Sequence, residues 1–424
     1  MKTTQQSHQT EIRVPTSSRK PRKSTILVLR YRLPRPAALA LLAALPLVAN
    51  GQDHSTEFVE PNAFDPLWGH ATLYKDDLNP ILEEFKLRGR YQGQYWDTDA
   101  EQGSQSNWED RRSRFGFDAK LLDKKIELRA DFQSNDGFSD FYDGLVDAYV
   151  RWKPKSWLSI TAGKTKPLIG QYDWLESTNT QPTFERSQIF NQLGINRAAG
   201  LTVEGTQDDF SWRAGIYTNS TPATTADPIT KISSGAFGDG EFGDFTGGVS
   251  YSLGVGYDFK HLLAIEKADF KLDWLHSERE AGDLVLSKYD DILSATFSVK
   301  QEAAALVIEA FHASGGDGTN SNVFGFYLEP TYDIIPKKLQ LVGRYSYANS
   351  EGPLGIVGQT RYEKMVATHK ALGDAYQSVY GGVQYFIYGD KLKLMAGVEW
   401  ARLENKTAAS YDGLTLLTGI RLSF

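Results

Sequence analysis

Nine cations, Lys86, Arg88, Arg90, Arg112, Arg114, Lys120, Lys125, Arg129 and Arg151, fall at alternating positions of four short segments, so each segment turns its charge to one side. Guanidinium and ammonium groups in such a row contact anionic oxygens well, and a wall of them beside water favours anions. Four acids, Asp118, Glu127, Asp131 and Asp147, share that side and offset it in part. A second mixed set, Lys166, Asp173, Glu176, Glu185 and Arg186, lies within one long link, 166–197. Three arrangements stay open: an anion-attracting wall, a solvated face in which each arginine pairs with a nearby carboxylate, or a transverse field between the wall and the acids of the link. Catalysis has little to work with. His54, His70, His261, His276, His312 and His369 show no hydrolase or metal-ligand spacing, no nucleophile elbow is evident, and there is no cysteine. No cofactor or metal is expected.

The elements that must carry these residues have period two. Phe85, Leu87, Gly89, Tyr91, Gly93 and Tyr95 alternate with Lys86, Arg88, Arg90, Gln92 and Gln94, which predicts a strand with one apolar and one wet face. The same pattern recurs in about sixteen segments, starting near Glu83, Arg111, Lys125, Asp143, Leu158, Ala198, Phe210, Thr246, Ala268, Tyr289, Glu302, Val323, Lys338, Tyr376, Lys391 and Leu414. Their connections alternate in length. Short turns, such as 122–124, 153–156, 207–209 and 300–301, are followed by long links at 98–110, 166–197, 218–245, 278–288, 349–375 and 403–413. An all-β chain of this kind is a transmembrane antiparallel β-barrel, with short turns on the periplasmic side and long loops outside. In a hairpin-connected sheet Arg90, Arg114 and Arg129 would stand at similar height.

The two ends of the chain agree with export to an outer membrane. Arg19, Lys20, Arg22, Lys23, Arg30, Arg32 and Arg35 precede a short apolar run, 37–49, and a small-residue exit, the three parts of a signal peptide cleaved near 49–51. Removing 1–51 takes nine Lys or Arg and one Glu from totals of 46 and 53, leaving a formal charge of −15. That balance argues against nucleic acid as a partner. Residues 52–82 are read as a periplasmic segment or plug, and 83–424 as the barrel. The last ten residues put Leu416, Thr418, Ile420, Leu422 and Phe424 on one face. A terminal aromatic on an amphipathic strand resembles the signal by which barrel-assembly machinery recognises such chains. Trp152, Trp157, Tyr388 and Trp400 fall near strand ends, where aromatic rings sit at the lipid headgroups.

Three stretches carry a family resemblance: Arg111-Arg112-Ser113-Arg114-Phe115-Gly116-Phe117-Asp118-Ala119-Lys120-Leu121, then Gly163-Lys164-Thr165-Lys166-Pro167, then Thr183-Phe184-Glu185-Arg186-Ser187. They resemble the phosphate-selective porin O and P family. The resemblance implies a sixteen-stranded homotrimeric porin whose third external loop, here 166–197, folds into the pore, with arginines and lysines conducting anions through the constriction. The chain departs from the phosphate-specific pattern in that loop, where Asp173, Glu176 and Glu185 stand against Lys166, Arg186 and Arg197. The expected function is passive diffusion of small hydrophilic solutes with a weak anion preference, through a wall of Lys86, Arg88, Arg90, Arg112, Arg114, Arg129 and Arg151. An outer-membrane barrel enzyme and a secreted soluble β-protein are the competing classes.

Overall fold

Alternation of apolar and polar side chains resolves into sixteen strands in a computed structural model, which describes residues 63–134, 138, 141–218, 248–278, 286–316, 321–359, 361–406 and 409–424. The expected signal peptide 1–51, the stretch 52–62 and most of the links 218–245 and 278–288 lie outside the described residues. The barrel strands are β1 (Leu82–Ala100), β2 (Gly103–Leu121), β3 (Ile126–Ser134), β4 (Leu145–Lys155), β5 (Leu158–Thr165), β6 (Ala198–Gln207), β7 (Phe210–Thr218) and β8 (Val249–Asp258). They continue as β9 (Lys267–Ser277), β10 (Asp291–Gln301), β11 (Ala304–Ser314), β12 (Val323–Ile335), β13 (Leu339–Ser350), β14 (Ala375–Tyr388), β15 (Leu392–Glu404) and β16 (Ala409–Ser423). Each pairs antiparallel with the next, and β16 returns to β1, with Ser423 opposite Arg90. The sheet is closed, so its N–H and C=O groups are paired within it, as lipid requires.

Burial is inverted relative to a water-soluble sandwich. Gln92, Gln94 and Thr296 on the inner face are fully buried, whereas Leu253 is 53% exposed on the outer one. Leu87, Val150, Leu201, Leu293, Leu341 and Leu416 are likewise exposed. An outward apolar belt around a polar interior belongs in a bilayer. No described helix is long and apolar enough to cross a membrane. Trp152 and Trp157 are each half-exposed near the short-turn ends of β4 and β5, where a headgroup girdle would sit.

Two boundaries depart from the sequence expectation. The stretch 98–110 is no loop: β1 and β2 run nineteen residues each and are joined by Glu101 and Gln102 alone. Gly103, Ser104, Gln105, Ser106 and Asn107 are all exposed and carry no apolar face, so period two leaves no trace there. The last strand likewise begins at Ala409 rather than Leu414, because Ser410 and Asp412 hide its alternation.

At the short-turn end β1 outruns its partner. The last residue, Phe424, exchanges backbone hydrogen bonds with Gly89, and below it Thr72–Lys75 takes over, pairing with Glu84 to Lys86. A five-residue helix, Asp65–Gly69, precedes this short strand, and its Trp68 indole N–H donates to the Ser423 carbonyl at 2.6 Å. The described part of 52–82 thus caps an edge that β16 is too short to cover.

Candidate functional site

The link 166–197 connects β5 to β6, and its side chains meet strands on the far side of the barrel. The lumenal parity of β9 to β13 supplies an apolar bed, with Leu275, Ile292, Phe311, Val323 and Tyr327 all buried. Onto it fold Ile169, Trp174, Ile189, Phe190 and Leu193 of the link, with Trp174, Phe190 and Phe311 in a ring series at 5.4 and 5.8 Å between centroids. Each such side chain contributes about 1.5–3 kcal/mol when fully buried. This is the force that draws the link inward.

Backbone groups of the link are satisfied by charge. Gly170, at φ +62°, starts a turn over Gln171–Leu175 in which three successive N–H groups, of Gln171, Tyr172 and Asp173, donate to the Glu309 carboxylate of β11 at 2.6, 2.9 and 2.9 Å. Thr296 and Tyr327 hydroxyls donate to the same carboxylate. The carbonyls go to cations: Lys166 donates to those of Trp174, Leu175 and Glu176, Arg186 to that of Asp173, Arg344 to that of Glu185 and Arg421 to that of Phe184. Ser187 then caps the helix Gln188–Leu193 by accepting from the Phe190 N–H.

The structure divides the basic wall into two parts. Toward the short-turn end Arg88 pairs with Asp118 at 2.8 Å and Asp131 at 3.1 Å, Arg129 with Asp118 at 2.6 Å and Glu127 at 3.2 Å, and Arg151 with Glu127 at 3.4 Å. Lys86 is half-buried, level with Asp118 across the β1–β2 ladder. Higher up the partners are neutral. Arg90 donates to the Ser177 and Thr178 hydroxyls, Arg112 to Gln92 and Arg114 to Gln133, and no described carboxylate lies within ion-pair distance of these three. Lys166 is in the same position, bonded to carbonyls only. Burial, with the guanidinium groups of Arg197 and Arg186 near it, pulls the Lys166 ammonium well below its ordinary pKa. An anion beside it would favour its charged form.

The acids expected to oppose the wall are otherwise engaged. Asp173 is buried and accepts from the Ser187 N–H, and Glu176 accepts from the Gln171 amide. Glu185 is bound by both arms of Arg111 at 2.7 and 2.9 Å. Burial raises the Glu185 pKa, but Arg111 and then Arg361 outweigh it and hold the carboxyl below its usual range. Arg111 escapes a parity reading because the ladder shifts there: Arg112 faces Gln92 while Asp110 faces Gly93. The extra residue of this β-bulge lets Arg111 and Arg112 both reach the lumen.

Between the wall, the link and β7 to β9 lies a cavity of about 420 Å³. Nine cationic side chains line it, Arg90, Arg114 and Lys166 among them, against Asp131, Asp147 and Glu204. Arg213 and Lys271 on β7 and β9 belong to that count; a parity reading carried beyond the first four strands would have found them. Arg213 is paired with Asp273 at 2.5 Å, whereas Lys271 donates to the Gln171 amide oxygen. Among the described residues no group of His, Asp and Glu is placed to hold a metal ion.

Similar folds occur among solved bacterial proteins, an anion-selective porin included. The structure is similar to the anion-selective porin from Comamonas acidovorans, with TM-score 0.55, 12% identity and coverage of 80% of this chain and 99% of that one. It is equally similar to Salmonella typhi OmpF in complex with daunomycin, at TM-score 0.55, 12% identity and coverage of 83% and 100%. Pseudomonas putida OprB at high pH follows at 0.53, 12%, 80% and 94%. At these identities the likeness is one of fold. No curated protein matches the sequence. Residues 85–244 match the model of the family described as phosphate-selective porin O and P, and this region holds the bulged arginine strand β2 and the whole of the inserted link. Over that region the chain is similar to the phosphate-selective porin O and P family.

Proposed function

We propose that the chain forms a water-filled channel in a Gram-negative outer membrane, through which small hydrophilic solutes diffuse passively with a weak preference for anions. One observation carries the preference: nine cations against three carboxylates around the cavity, with Arg90, Arg114 and Lys166 lacking any carboxylate partner among the described residues. The acidic total of the chain does not oppose this, because charges beyond roughly 10 Å are screened at physiological salt and only the lining of the narrows acts on a passing ion. Replacing Arg90, Arg112 and Arg114 together by Gln is expected to move the zero-current potential of reconstituted channels toward cation selectivity in a salt gradient. A strongly cation-selective parent channel would refute the preference.

The remaining assignments follow the same reading. Residues 1–51 act as a cleaved export signal, 52–82 lie on the periplasmic side, the barrel contacts outer-membrane lipid, and three copies assemble as the family implies. Diffusion through a pore needs no cofactor and no catalytic group. N-terminal sequencing of the protein from outer membranes should start near residue 52, and an intact Met1 would overturn the export signal.

A further inference from the structure

We infer that the channel is narrowed by two interlocked loops, the second being 351–374 between β13 and β14, and that Arg361 on this second loop is a pore-lining cation. The inference rests on the channel reading and adds to it an element outside the region 85–244 by which the family match is made.

The loop leaves its own hairpin and crosses the lumen. Arg361 forms an ion pair with Glu109 at 2.5 Å and lies 4.0 Å from Glu185. Glu109 belongs to β2, and between β13 and β2 the barrel order runs through β14, β15, β16 and β1. The contact lies on the inner face of the barrel, since the Glu109 carboxylate also accepts from Gln94, a fully buried inner-face residue. On the way Tyr362 donates its hydroxyl to Glu399 of β15, and Glu363 accepts from Tyr376 of β14 and from the Gln359 N–H. Tyr362 and Glu363 are 1% and 0% exposed, as buried as the inner-face residues Thr296 and Glu309.

The two loops are joined by a polar lattice. Gln188 donates to the Val357 carbonyl at 2.6 Å, the Val357 N–H donates to Gln192, and Gln192 donates to the Gly355 carbonyl at 2.9 Å. Asn191 bonds the Gln359 side chain at 2.9 Å, and Gln359 returns a bond to the Arg186 carbonyl. One face of the helix Gln188–Leu193 therefore packs on Phe311 and the other reads the backbone of 355–359. Neither loop can move without opening these bonds. Arg361 remains one-third exposed while it pairs, so its charge faces the water above the Arg111–Glu185 pair.

The test uses the full-length protein in planar bilayers. Replacing 355–370 by a short Gly-Ser link is expected to raise single-channel conductance by about twofold, as when one of two restrictions in series is removed. Arg361→Gln is expected to shift the zero-current potential toward cations. Because the shortened loop could impair folding, a second variant joins the loops covalently. The chain contains no cysteine, so Asn191→Cys with Gln359→Cys should be joined by a short bifunctional thiol reagent in the folded, heat-modifiable barrel. A folded loop-replaced channel of unchanged conductance, or failure of the two cysteines to cross-link, overturns the two-loop narrows and leaves the channel reading standing. Absence of any conductance in the parent protein overturns both.

Discussion

Gly89 and Phe424 meet at the barrel seam, and their fit is tight enough to be tested atom by atom. A Cβ on Gly89 would lie 2.2 Å from the Phe424 ring, while the backbones of the two residues exchange hydrogen bonds. Gly89→Leu should push the ring off the seam and lower the temperature at which the folded form on a gel gives way to the unfolded one. Deleting Phe424 should leave the chain in the periplasm, and normal outer-membrane levels of the truncated protein would count against the assembly role of this residue. That Phe424 ends the closing strand was legible from its place in the sequence; its partner was not, because Gly89 reads only as a weak member of an apolar row. Arg111 teaches the same lesson. A residue type can be read as chemistry, but its side of the sheet depends on a bulge that no spacing rule announces.

At the scale of elements, the inserted link is held by opposite charges on opposite backbone groups, and Glu309 is the position at which that hold can be broken singly. Removing its carboxylate would orphan three N–H donors, of which that of Asp173 is buried and would cost about 1–3 kcal/mol. Glu309→Ala should therefore yield a folded barrel with noisier, larger single-channel currents, and quiet currents of parental size would show that the apolar bed alone fixes the link. Gln in its place should be intermediate, since an amide offers one acceptor oxygen where the carboxylate offers two. The sequence marked 166–197 as long and mixed in charge, which sufficed to single it out. It did not reveal the bed, because Phe311 and Leu275 occupy inner positions where a water-facing barrel wall should be polar. For the same reason the link 349–375 read only as one more external loop, since nothing local distinguishes a loop that turns inward from one that stays out.

Across the whole molecule, strand number, closure and the outward apolar face were readable because each repeats sixteen times, so local errors average out. Partner choice across the lumen was not, since Glu109 with Arg361 or Arg344 with the Glu185 carbonyl join residues that no periodicity connects. The seam has a consequence in time. Trp68 and Ser423, bonded at the short-turn end, are 355 residues apart in the chain, and the β16–β1 ladder pairs residues from opposite ends of the barrel sequence, such as Ser423 with Arg90. Contacts of such separation form late. Until the last strand arrives the product is an open sheet with two unsatisfied edges, unable to rest in lipid. A chain cut short by premature termination at any point before β16 therefore cannot become a smaller hole. Completion of synthesis is itself the safeguard that keeps the membrane from leaking through unfinished copies.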